Sequence, residues 1–361
     1  MGRGQTRDPS GGGRERVGIP GGLRPGRKQI GWQAGQATPF HPEPQKQDQV
    51  GSTPLVISIA SRKENLKLET IALPLVNLAL TEDLGGGDVT TTSIVPGDLK
   101  GRAIITAKQN GVIAGLDVAR LAFQALDEGS EFEAMVPDGS RVQIGKAVAE
   151  IRGLAGGILM AERVALNFLG HLSGVATMTS RFVRRTRGTR ASILDTRKTM
   201  PGIRVLQKYA VKKGGGENHR FGLFDMYLVK DNHIRIAGSL KNAVERIDSK
   251  RQELLLVVEA DNFERVKEAC EAGVDRIMLD NMTVEQITTS VQIVDNHPMP
   301  PTPPRIRHKG AVRWPEIEVS GDVNLDNVRD IAEAGVDYIS VGALTHSAAV
   351  LDLSLEIELL D

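Results

Sequence analysis

Residues 254–280 read LLLVVEADNFERVKEACEAGVDRIMLD. Leu254 to Val258 is a short unbroken apolar run, the mark of a strand buried on both faces. From Asn262 to Ala272 apolar residues recur at helical spacing, and the stretch halts at Gly273, a residue type that ends helices in the left-handed conformation. Arg276 to Leu279 is a second run of strand length. Strand, helix and strand in such quick succession predict a crossover unit, whose two strands must run parallel.

The pattern repeats on both sides. Further strands are predicted at Ile193-Leu194, Met226 to Val229, Glu316 to Val319 and Tyr338 to Val341. A helix opens at Thr283, where Gln286 three residues on makes a capping box. Another helix runs from Asn324 to Ala334 and stops at Gly335. Alternation of this kind over residues 173–346 predicts a parallel β/α barrel.

The chain before it differs. A helix over Ile71 to Leu80, a helix over Leu116 to Leu126, and alternating runs at Gly101 to Ala107 and Arg141 to Ile151 predict a smaller α+β domain over 66–172. An apolar helix from Gly157 to about Leu172 leads out of it. Gly85 to Asp88 followed by Thr90, Thr91 and Thr92 reads as a helix-to-strand turn with no catalytic role. Residues 1–55 are rich in Gly, Pro, Gln and Arg and lack apolar periodicity. They are expected to be a disordered extension, or to reflect a start codon assigned too far upstream. A transit peptide would share the Arg-rich, acid-poor bias, but this stretch is broken by Gly and Pro and shows no amphipathic helix. Residues 297–315, Pro-rich and charged, are expected to be a surface insertion on the barrel face away from the chemistry.

Composition excludes several functions. The formal net charge is zero, so no global field draws the chain to nucleic acid or to an anionic membrane. No apolar run approaches the roughly 20 residues that cross a bilayer. The single cysteine, Cys270, rules out an intrachain disulfide and points to a reducing, cytoplasmic setting.

In a β/α barrel the residues after each strand share one rim, and that rim carries active sites. The residues there are Asp195, Thr196, Arg197 and Lys198; Lys230, Asp231 and Asn232; Glu259; Asp280; Ser320-Gly321; and Gly342-Ala343. One side of the rim is basic. Arg204, Lys208, Lys212, Lys213, His219, Arg220 and Arg235 fall between or beside Arg197 and Lys230, with few acids to balance them. Such a set suits a substrate with several negative charges. Aromatic residues make up only 4% of the chain, few for a platform that stacks bases. The other side is acidic and Gly-rich. Glu259 and Asp280 suit ribose hydroxyls and a hydrated Mg²⁺, while Ser320-Gly321 and Ser340-Val341-Gly342 suit a phosphate cup made of backbone N–H groups.

These residues fall into motifs: ERVALNFL at 162–169, DTRKTMPG at 195–202, GENHR at 216–220, LVKDNHI at 228–234, Val258-Glu259, Met278 to Asp280, EVSG at 318–321 and SVGALTH at 340–346. In that order they resemble the signatures of the quinolinate phosphoribosyltransferase family, from about residue 67 to the end. The resemblance implies an incomplete, open β/α barrel joined to the smaller N-terminal domain, with the tail 347–361 returning to that domain. It implies quinolinate and phosphoribosyl diphosphate as substrates, Mg²⁺ as cofactor, and a homodimer or homohexamer in which Arg163 enters the neighbour's site. Arg197, Lys198, His219, Arg220 and Lys230, with Thr196, would surround quinolinate and the diphosphate. Glu259 and Asp280 would take the ribose and the metal, so that Lys198, Lys230, Glu259 and Asp280 form the catalytic set. Ser320, Gly321, Asp322, Ser340, Val341 and Gly342 would hold the 5′-phosphate. Asp322 stands where many relatives carry Gly or Asn, and its side chain is expected to turn away. The competing reading is a related barrel that transfers phosphoribose to another aromatic acid.

Overall fold

The computed structural model describes residues 68–251, 253–298 and 313–360. The N-terminal extension and most of the Pro-rich insertion fall outside them. Two helices open the described chain, α1 (Leu68–Leu84) and α2 (Val89–Ile94). Between them the expected helix-to-strand turn is instead a helix start. Asp88 accepts the backbone N–H groups of Thr90 and Thr91 at 2.9 and 3.0 Å and so caps α2.

The small domain follows with β1 (Lys100–Ala107), β2 (Gly111–Val112), α3 (Leu116–Leu126), β3 (Glu131–Ala134), β4 (Arg141–Val142) and β5 (Ala147–Leu154). α4 (Ala155–Arg185) then runs for 31 residues without a break, well past the predicted end at Leu172. Its small and apolar residues pack against α3, α1 and the barrel. The last strand of the chain, β12 (Leu353–Leu359), lies antiparallel against β1, in the sheet order β12-β1-β5-β3.

The second sheet holds six strands: β6 (Ser192–Leu194), β7 (Tyr227–Val229), β8 (Leu256–Ala260), β9 (Arg276–Asp280), β10 (Glu316–Ser320) and β11 (Tyr338–Ser340). α5 (Arg204–Lys213) follows β6. α6 (Asp231–Ala237) and α7 (Leu240–Asp248) follow β7, and α8 (Phe263–Glu271) and α9 (Val284–Asp295) follow β8 and β9. α10 (Val328–Glu333) and α11 (Ala343–His346) follow β10 and β11. The predicted strands all stand within a residue or two of these bounds. The capping box at Thr283 is present, with both of its hydrogen bonds. The helix predicted from Asn324 starts only at Val328, because Asn324 Oδ1 first accepts the N–H groups of Asp326 and Asn327 in a turn.

All ladders in this sheet are parallel and the order is β6-β11-β10-β9-β8-β7. The barrel is therefore open between β6 and β7. On the β6 side Glu217 fills part of that gap, its N–H donating to Ile193 O at 2.8 Å and its carbonyl accepting from Asp195 N at 3.2 Å. Alternation along the strands sorts the faces. Leu256, Val258, Ile277, Leu279, Ile317, Val319 and Ile339 join the main core beneath the helices. The opposite parity points inward and is more polar, with a small apolar group of Leu255, Val257 and Met278 against which Met226 and Leu228 pack.

The insertion is shorter than expected. Trp314 is only 5% exposed. Arg313 donates to Gly335 O at 2.8 Å and pairs with Asp295 and Asp337. Residues 313–315 are therefore packed into the barrel wall, and only 299–312 lie outside the described residues.

Candidate active site

At the carboxyl ends of the barrel strands lies a cavity of about 660 Å³. It gathers Thr196, Arg197, Lys198, His219, Arg220, Lys230, Glu259, Asp280, Ser320, Gly321, Asp322, Ser340 and Gly342. Strand order arranges them. The cations follow β6 and β7, the two strands flanking the gap, or sit in the segment between. The acids follow β8 and β9 and the glycine turns follow β10 and β11.

Two predicted residues stand apart. Arg163 is exposed on α4 and does not line the cavity. Val341 is 1% exposed in the core and its N–H is spent on Leu194 O at 2.9 Å, so it cannot join a phosphate cup as expected. The basic rim is also narrower than the sequence suggested. Residues 204–213 form a helix, which turns successive side chains to different sides. Arg204 becomes a strut, bonding Thr199 Oγ1 at 2.9 Å and Phe221 O at 3.1 Å. Lys208 is buried in an ion pair with Asp195. Lys213 lies over the Tyr209 ring, and Arg235 bonds Asn232.

Arg197, Lys198 and Arg220 form no ion pair with any carboxylate among the described residues. Burial, then the neighbouring Arg197 guanidinium, hold Arg220 below its ordinary value against the pull of Asp225. Both guanidiniums line the cavity, and an anion that accepts from either would relieve their mutual repulsion. Lys230 is joined to Glu259 by an ion pair.

His219 is clamped. Its N–H donates to Asp195 Oδ1 at 2.9 Å and its carbonyl accepts from Lys208 Nζ at 3.1 Å. Burial pushes the Asp195 carboxyl up to about 6, against Lys208 and the His219 amide. His219 Nδ1 accepts the Arg220 N–H at 2.8 Å, which places the ring proton on Nε2.

The opposite wall is built from turns. Gly321 and Asp322 both have positive φ, 97° and 42°, a conformation that glycine adopts at no steric cost. The Asp322 carbonyl is fixed by the Asn327 side-chain amide at 3.0 Å. A β-carbon on Gly342 would stand 3.1 Å from Lys198 Cδ and 3.0 Å from His346 Nε2, so that turn is closely walled. Sequence reasoning passed over Leu228, Met278, Asn281, Val323 and His346 as site residues; they also line the cavity, with Ala343. Leu228 and Met278 share the inward parity of Lys230 and Asp280. Asn281 donates to Asp280 Oδ2 at 2.9 Å, and His346 ends a motif already singled out.

Glu259 and Asp280 are oxygen donors on one wall, and among the described residues no group of three or more His, Cys, Asp or Glu is gathered around a metal position. This donor set fits a hard cation that keeps several waters and takes the rest of its ligands from a substrate's phosphates.

Fold and cavity together define a barrel enzyme that handles polyanions. Comparison with known proteins narrows the class. The N-terminal domain of quinolinate phosphoribosyl transferase matches residues 88–173, and its C-terminal domain matches residues 175–356. The carboxylating nicotinate-nucleotide pyrophosphorylase of Mycobacterium leprae is 40% identical over 287 residues, covering 78% of this chain and 95% of that protein. The chloroplastic one of Oryza sativa subsp. japonica is 40% identical over 303 residues, covering 78% and 76%. The crystal structure of NadC from Streptococcus pyogenes superposes with a TM-score of 0.74 at 36% identity, covering 82% of this chain and 99% of that one. The chain belongs to the quinolinate phosphoribosyltransferase family.

Proposed function

We propose that this protein transfers the phosphoribosyl group of phosphoribosyl diphosphate to quinolinate with loss of carbon dioxide, forming nicotinate mononucleotide and diphosphate for NAD biosynthesis. The observation that carries this is that Arg197, Lys198 and Arg220, which form no ion pair among the described residues, share one cavity with the glycine turns at Gly321 and Gly342.

The chemistry follows from charge. The bond from C1 of the ribose to diphosphate breaks and its electron pair leaves with the diphosphate. Lys198 and Lys230 stabilise that departing charge, and Glu259 and Asp280 face the positive charge that builds on the sugar. The pyridine nitrogen, oriented through its carboxylates by Arg197 and Arg220, forms the new bond to C1. The ring nitrogen is then cationic. The bond from C2 to its carboxylate breaks, carbon dioxide leaves, and the electron pair remains on C2 beside the positive nitrogen until a proton from water closes it. A Mg²⁺ held by Glu259 and Asp280, partly through water, would neutralise diphosphate charge.

Arg163 is exposed and outside its own chain's cavity, which supports an assembly, dimer or hexamer, in which it completes a neighbouring site. The compartment we infer is the cytoplasm, a setting that suits the buried free thiol of Cys270; among the described residues no helix is long and apolar enough to cross a membrane.

The test is incubation with quinolinate, phosphoribosyl diphosphate and Mg²⁺. Nicotinate mononucleotide and carbon dioxide should appear together. Turnover of nicotinate without carbon dioxide release, and none of quinolinate, would replace this reading with that of a related transferase.

A further inference from the structure

Behind the active cavity lies a second one of about 250 Å³, lined in part by Arg276, Tyr338, Glu217 and Leu194. His219 lines both. Glu318 lines neither, is fully buried, and bonds residues on each side. Its Oε1 accepts the Ser340 hydroxyl at 2.5 Å and lies 3.2 Å from His219 Nε2, at ion-pair distance though off the line of a good hydrogen bond. Its Oε2 accepts from Arg276 Nη1 at 3.1 Å. Arg276 in turn forks onto Glu316 Oε2 at 2.9 and 3.2 Å and stacks on the Tyr338 ring, 3.7 Å from its centre.

A carboxylate is a costly way to fill a barrel. An apolar side chain of similar volume in place of a buried ion network is often neutral or stabilising. Stability is thus a poor reason for Glu318. Geometry supplies a better one. Ser340 is the last strand residue before the Gly342 turn, and His219 sets Arg220 through its Nδ1. The two walls that hold the two substrates are joined inside the barrel through a single carboxyl group.

We propose that Glu318 is a positioning residue, a buried strut that fixes the His219–Arg220 wall against the Ser340–Gly342 wall while Arg276 braces it from the second cavity. The proposal rests on the function given above. Ser340 commits its hydroxyl proton to this strut, so its part in the phosphate cup is to hold the turn in place.

The test is steady-state kinetics with both substrates varied, on wild type, Glu318→Gln and Arg276→Lys, each with its Tm. Loss of one charge-assisted contact predicts that Glu318→Gln raises KM for both quinolinate and phosphoribosyl diphosphate about tenfold or more. Arg276→Lys keeps the charge but loses the planar fork. It should raise both KM values in the same direction, although Arg276 does not line the active cavity. A residue that only holds the fold together would lower kcat through a smaller active fraction and leave both KM values alone; that result in a folded variant overturns the proposal. Should Glu318→Gln fail to fold, Arg276→Lys decides alone. A wild type without turnover of quinolinate removes the function first, and the strut with it.

Discussion

Gly321 lies directly under the Asn281 side chain: a β-carbon built on Gly321 would stand 2.1 Å from Asn281 Oδ1. Both residues adopt positive φ, 97° and 55°, and Asn281 N–H donates to Ser320 O at 2.9 Å. Glycine is required there twice over, by backbone conformation and by contact. Gly321→Ala should therefore cost about a hundredfold in kcat/KM for phosphoribosyl diphosphate, the scale of losing one aligned donor. Near-wild-type values would show that the turn is not the phosphate seat.

Among the described residues Arg197 forms no ion pair, so its charge is available to the substrate. Arg197→Ala should remove more than about 2 kcal/mol of transition-state stabilisation, read from kcat/KM for quinolinate. Lys198→Ala should do the same. An unchanged value in either variant would contradict the assigned roles.

Arg163→Ala should abolish turnover although Arg163 is absent from its own chain's cavity. Mixing it with Arg220→Ala should restore part of the activity through hybrid sites. Proven subunit exchange without recovery would count against a shared site.

Lys208 and Asp195 form a buried pair beneath His219. Lys208→Met leaves a buried carboxylate without its partner and should lower unfolding free energy by about 3 kcal/mol in a denaturant titration. The double variant with Asp195→Leu should recover part of that loss. A double variant less stable than the single one would contradict the pairing.

Burial raises the Glu318 carboxyl, but His219, Arg276 and Ser340 together outweigh it and hold it at about 2, against an ordinary 4.5. The folded state thus binds this proton more weakly than the unfolded chain. The stabilisation it brings is complete above pH 4.5 and fades as pH falls toward 2. The stability difference between wild type and Glu318→Gln should therefore narrow across that window. A constant difference from pH 6 to about 2.5 would mean that Glu318 does not carry the charge assigned to it.

Much of this was legible in the sequence. Short runs of strand length between amphipathic helices marked all six barrel strands, because the outward parity of each strand is apolar and packs beneath the helices. Most of the residues expected after those strands line one cavity, since a barrel puts strand ends on one rim, but Asp195, Asp231 and Asn232 do not. What escaped depends on distant geometry. Nothing in residues 204–213 shows that Lys208 turns inward to Asp195 while Arg204 spans two loops. The network of Glu316, Glu318, Tyr338 and Ser340 with Arg276 and His219 exists only once β9, β10 and β11 lie side by side. Val341 was misjudged because a motif gives order along the chain and not the direction in which each residue faces.

The gap between β6 and β7 leaves a lasting freedom. In a closed ring, neighbouring strands are fixed about 4.8 Å apart by their ladder. Here no ladder joins the strand that presents Lys198 to the one that presents Lys230. Glu217 holds the connection to β6 through Ile193 and Asp195, and His219 and Arg220 follow it, so the separation is set by residues 221–225, which make no sheet hydrogen bond among the described residues. The width of the mouth is thus an inheritable dimension of its own, and acids of other sizes are reachable by changing that one segment while the barrel stays intact.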